Sequence, residues 1–170
     1  MALFINPQFD PRIVELYRQR FRPGTLQREP RVLIAMNVFC AETTQQAEAM
    51  TRAADLTYIR FLTQRGAVQV CSPEEAEQHR FSAEERAFVQ GVSAARAVGT
   101  AATVRERVEG IARDYRADEV MAVCNTFHFG DRLRSFELLA QAFALEAGTA
   151  VPQPEASVYG AGTSSTIRAR

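Results

Sequence analysis

Three apolar runs short enough for strands, each followed by a stretch with helical spacing, constrain this chain more than any other feature. Ala2-Leu3-Phe4-Ile5-Asn6 precedes a helix carrying Val14, Leu16, Tyr17 and Phe21. Val32 to Phe39 precedes a helix running through Ala47 to Phe61, and Glu119 to Cys124 precedes one from Gly130 to about Leu145. Near-continuous apolar strands are what a parallel sheet shows when helices cover its faces. A closed (β/α)8 barrel takes eight such units in roughly 250 residues. With 170 residues and three units, the chain is expected to be α/β and to form part of a barrel.

Local punctuation places the helix ends. Pro11 suits a first turn, and Pro23-Gly24 closes the first helix. Thr43-Thr44-Gln45-Gln46 fits a capping box, in which hydroxyl and amide side chains satisfy two orphan N–H groups. The helix after it spaces Ala47, Met50, Ala54, Tyr58 and Phe61 on one face and is expected to stop at Gly66. Ser72-Pro73-Glu74-Glu75 and Ser82-Ala83-Glu84-Glu85 are further start signals. Thr100 suits an N-cap before a stripe of Val104, Val108 and Ile111 that ends near Tyr115. Residues 66–81 read either as a lid over a site or as a surface excursion with helical turns. Two domains of unequal kind result: a partial barrel over 1–147 and an extended tail over 148–170. The tail holds Val151-Pro152-Gln153-Pro154 and a Gly160-Ala161-Gly162 run that no strand leads into, so it is not a nucleotide loop.

Composition removes several function classes. Twenty basic residues balance twenty acidic ones, and no basic stripe is interleaved with aromatics, which argues against nucleic acid. Every basic residue counted is Arg, so lysine chemistry is excluded. Cys40, Cys71 and Cys124 lack metal spacing and read as buried thiols, a reactive or bridging thiol being the alternative. No metal site is expected. No apolar run reaches the ~18–20 residues of a membrane span, and Met1 runs directly into a strand, so the expected location is cytoplasmic.

The stretch Val98-Gly99-Thr100 with Val104-Arg105-Glu106, then Ala117-Asp118-Glu119-Val120-Met121, resembles the luciferase-like flavin monooxygenases. Arg31 to Phe39 with Ala41-Glu42-Thr43 resembles that family's penultimate strand and turn, and Arg132 to Ala140 its final helix. Arg116 stands where the family usually has glycine. The resemblance covers about residues 1–146 and implies the last three strand–helix units of a (β/α)8 barrel. It implies reduced FMN, supplied by a flavin reductase, and O2 acting on a small organic substrate, an aldehyde in luciferase itself. The family's catalytic histidine and flavin-phosphate contacts have no matching positions here. A chain of this extent would be completed by a second copy or a separate N-terminal barrel chain. The alternative is a non-catalytic flavin-binding or interaction subunit.

Barrel sites lie at the C-terminal ends of strands, which here are Asn6 to Phe9, Asn37 to Ala41 and Cys124 to Phe129. Cofactor-binding candidates are therefore Asn37, Asn125 and His128 beside Thr126, with His128 alternatively capping the next helix. Asn37 inside an apolar strand needs a hydrogen-bond partner, a neighbouring side chain being expected ahead of a ligand.

Overall fold

The computed structural model describes residues 1–5, 10–64 and 68–145. Asn6 to Phe9, Gly66 and the tail 148–170 lie outside the described residues. Four parallel strands are present among the described residues: β1 (Ala2–Phe4), β2 (Leu33–Cys40), β3 (Arg96–Gly99) and β4 (Glu119–Val123). Six helices accompany them among the described residues: α1 (Arg12–Arg20), α2 (Thr44–Thr63), α3 (Pro73–Gln78), α4 (Ala83–Ser93), α5 (Ala101–Asp114) and α6 (Phe129–Ala142). The mixed α/β class and parallel sheet match expectation, and all three expected strands form.

β3 is a strand that the apolar runs did not reveal. Its run Arg96-Ala97-Val98-Gly99 is only four residues long and opens on an arginine, so periodicity does not reveal it. β2 is the spine. β1 pairs along Leu33 to Ala35, β3 along Asn37 to Cys40, and β4 along Leu33 to Asn37. Leu33 donates to the Met1 carbonyl and Ala41 to the Gly99 carbonyl, while Glu119 donates to Val32. Alternate residues of a parallel strand bond to opposite edges. So β1 and β3 follow one another along one edge of β2, and β4 holds the other.

In-register pairing sorts the side chains into two faces. Leu3, Ile34, Met36, Val38, Cys40, Ala97, Val120 and Ala122 share one face, against which α1, α5 and α6 lay Val14, Val104, Val108, Ile111 and Leu138. That face is the core. The opposite face carries Ala2, Phe4, Leu33, Ala35, Asn37, Phe39, Met121 and Val123. Much of it is open: Phe4 is 49% and Met121 52% exposed.

Three helix starts follow the expected chemistry, while Thr100 stands at the N-cap of α5 without a side-chain cap hydrogen bond. Thr43, Ser72 and Ser82 each cap α2, α3 and α4 through a complete capping box. The burial of α2 is a correction. Of the five residues expected to form its core face only Ala47 is buried, and the buried stripe runs instead through Ala53, Asp55, Leu56 and Ile59. Tyr58 and Phe61 are exposed. The 72–81 stretch is also better packed than a loose excursion. Cys71 and Ala76 form a second small core with Ala53 and Leu56, Cys71 N–H donates to Thr57 Oγ1 (2.8 Å), and Arg60 pairs with Glu75 (3.1 Å).

Candidate functional site

The C-terminal end of β2 opens on two adjoining clefts, one of about 780 Å³ and one of about 280 Å³. The larger lies on the open side of the sheet. Asn37 and Phe39 come from β2, Arg96 from β3, Tyr58 and Phe61 from α2, and Asn125 and Arg132 from beyond β4. The smaller lies between the starts of α2 and α6 and holds His128, Asp131, Gln46 and Cys40. Thr126 lines both and is buried. Val68 and Val70 border the larger cleft and Pro73 the smaller, so the stretch from Val68 to Pro73 edges both mouths.

Asn37 and Asn125, chosen from strand ends alone, thus meet in one cavity. Asn37 makes no side-chain hydrogen bond among the described residues, so the neighbouring side chain expected as its partner is not found. It sits half-buried on the open face, in register with Arg96 and Val123. His128 stands in the adjoining cleft at the N-cap of α6, but its side chain caps nothing. Its carbonyl accepts from Thr126 Oγ1 (3.1 Å), and its ring meets Phe127 edge-on at 5.0 Å.

Arg96, Arg132 and Tyr58 are residues the sequence reading did not select. Arg96 is the most constrained: it is buried and ion-paired to buried Asp55 of α2. Burial raises the Asp55 pKa against the pull of the Arg96 guanidinium. An arginine opening an apolar run is the one sequence signal that could have found it. Arg132 has no carboxylate partner among the described residues, and its guanidinium stands 5.3 Å from the Phe129 ring centre.

The thiols are buried and free. Burial pushes the pKa of Cys40 up, with Glu42 adding to it, and burial likewise raises that of Cys124. Ser135 accepts the Cys40 N–H at 2.9 Å. Raised pKa values keep thiols protonated and poorly nucleophilic, which fits the buried-thiol reading. No cluster of metal-ligating side chains occurs among the described residues. No helix among them is long and apolar enough to cross a membrane.

No family model matches the chain. It is similar to the uncharacterised protein YwcH of Bacillus subtilis, 34% identical over 143 residues that cover 84% of this chain and 43% of that protein. It is also similar to YceB of the same organism, 31% identical over 82% of this chain and 42% of the relative. A luciferase-like monooxygenase of Escherichia coli strain K12 is 29% identical over 126 residues, 74% of this chain and 37% of that protein. Among solved structures, apo-MsnO8 superposes with a TM-score of 0.64 at 27% identity, over 82% of this chain and 43% of that one. The chain spans less than half the length of these relatives. The chain is thus similar in sequence to proteins named luciferase-like monooxygenase and in fold to apo-MsnO8.

Proposed function

We propose that the chain is part of an FMN-dependent oxidoreductase of the luciferase-like kind. It would oxidise a small organic substrate with O2 once the open face of its sheet is covered by a second copy or by a complementary barrel chain. The 780 Å³ cleft on that face supports this most. It lies at the C-terminal end of β2, the position at which barrels carry their sites, in a chain similar to a protein named luciferase-like monooxygenase.

The residues present fit a flavin. The cleft falls within the roughly 300–1,000 Å³ of cofactor-sized sites. Phe39 and Tyr58 offer apolar walls to a flat ring, and the amides of Asn37 and Asn125 offer donors and acceptors to its polar edge. Arg132, without a carboxylate of its own, suits the phosphate. Bound reduced FMN, delivered by a flavin reductase, supplies the electrons that O2 takes up. The chain's part is to orient the ring, and buried Phe39 and Thr126 keep water from the floor of the cleft. Three free buried thiols accord with work in a reducing cytoplasm.

A second reading has an observation behind it. With Phe4 and Met121 about half exposed beside the cleft, a flavin there would rest on a half-open wall. That favours a non-catalytic flavin-binding or interaction subunit. Anaerobic titration with photoreduced FMN, followed by oxygen uptake with an aliphatic aldehyde, separates the two. Binding that Asn37→Ala weakens about tenfold, together with aldehyde-dependent oxygen uptake, supports the oxidoreductase. Binding without uptake, in a sample that light scattering shows to be self-associated, supports a non-catalytic flavin-binding subunit, and absence of binding from such a sample overturns both flavin readings and leaves the interaction subunit. Light scattering that finds a mass well above 18.9 kDa supports the covering copy.

A further inference from the structure

We propose that the groove between α2, α4 and α5 is a docking surface for a carboxylate-rich segment of a partner protein. The groove holds about 1280 Å³ and borders the two strand-end clefts, sharing Ala49 with the smaller and Arg96 with the larger. Arg52, Arg80, Arg86 and Arg107 line it, and none of them has a carboxylate partner among the described residues. Elsewhere arginines are commonly paired, as Arg60, Arg105 and Arg134 are with Glu75, Glu109 and Glu42.

Three of the four are held in place by the main chain instead. Arg52 donates to the carbonyls of Ala76 (2.8 Å) and His79 (3.3 Å). Arg86 donates to the Phe81 carbonyl, and Arg107 to those of Ala94 and Arg96. Neutral carbonyls fix a guanidinium without cancelling its charge, so these cations are oriented in advance of any anion. That lowers the ordering cost of binding.

Charge and size then name the occupant. The acidic groups lining the groove are Glu48, Glu77 and Asp55, and Asp55 is already engaged by Arg96. Four free cations therefore face two free carboxylates, in a chain whose formal net charge is zero. The excess is local to this groove. Its volume exceeds the roughly 300–1,000 Å³ of small-ligand sites and suits an extended segment. Arginine forks match carboxylates two bonds at a time, and arginine clusters serve acidic-motif recognition elsewhere.

Fluorescence anisotropy with fluorescein-labelled decaglutamate tests this on the full chain. Saturable binding is expected at about 0.05 M salt, weakening roughly tenfold by about 0.3 M as the charges are screened. Arg80 forms no hydrogen bond or ion pair among the described residues, so Arg80→Glu is expected to leave the melting curve unchanged and weaken binding about fivefold. Arg107→Gln, checked for folding by circular dichroism, should weaken it as well. Absence of binding at low salt overturns the proposal, as does an Arg80→Glu protein that binds equally well. A single-stranded oligonucleotide of equal charge that displaces decaglutamate at lower concentration also overturns it, since the groove would then select phosphate.

Discussion

Arg116 shows how one residue carries a local cost. It has φ of +45°, in the left-handed region, and sits one residue past the C-cap Tyr115 of α5. Arg116 N–H donates to Arg113 and Ala117 N–H to Ala112, which is the Schellman pattern that favours glycine at this position. The resembling family usually has glycine there. A side chain in this region costs about 1 kcal/mol, so Arg116→Gly should raise the unfolding free energy by about that much in urea titrations. The Arg18 bond to the Arg116 carbonyl (2.8 Å) involves only main chain at 116 and survives the change.

The Arg96–Asp55 pair makes a sharper prediction. Both residues are only 6% exposed, so removing one leaves a buried charge alone. Asp55→Ala should cost about 3–5 kcal/mol, read from chemical denaturation. Asp118 lies at the other end of the exposure scale. Its Oδ2 accepts from Val32 N–H at 2.7 Å and from Arg18 at 3.0 Å, tying the starts of β2 and β4 to α1. The Val32 N–H is the main cause that holds its carboxyl below the ordinary 3.8, with Arg18 assisting. A lowered folded value means a contribution that is present above the unfolded value and lost as pH falls through the folded one. Asp118→Ala should therefore cost about 1 kcal/mol at neutral pH. The gap from wild type should close as pH falls below 3.8. A gap of constant size down to low pH would refute this assignment.

Elements here are set by their ends. In α2, Gln46 N–H donates to Thr43 Oγ1 and Thr43 N–H to Gln46 Oε1, both at 3.2 Å. Thr43→Ala should cost about 1 kcal/mol by thermal melting, with Thr43→Ser restoring most of it. The three boxes were legible because a capping box involves residues only three apart. The face that α2 buries was not legible. Ala47, Met50, Ala54, Tyr58 and Phe61 are the apolar periodic set, yet Met50 borders the smaller cleft and Ala54, Tyr58 and Phe61 the larger. The buried set includes Asp55, which only its distant partner Arg96 makes tolerable inside.

For the molecule as a whole, the two sheet faces differ in what covers them. Helices α1, α5 and α6 seal one face, while Phe4 and Met121 look outward from the other. Large exposed apolar patches are where proteins pack against partners. If the open face is where a second copy or barrel chain packs, Met121→Lys should leave the melt of the monomer within about 0.5 kcal/mol. It should also lower the mass found by light scattering toward 18.9 kDa. A large loss of stability with mass unchanged would place Met121 in the chain's own core instead.

The sequence by itself determined the α/β class, the three apolar strands, three capped helix starts, and that Asn37 stands in the C-terminal half of β2 and Asn125 just past β4. These follow from patterns within a few residues: apolar runs, capping boxes and strand ends. Tertiary structure alone decided that β3 is a strand, since four residues opening on Arg96 join the sheet only because β2 offers a free edge at Asn37 to Cys40. It also decided which side of α2 is buried and that Asp55 meets Arg96 across 41 residues of sequence. The same holds for the open face of the sheet. Alternation along a strand tells two faces apart, but which of them helices cover depends on crossovers between residues far apart in sequence.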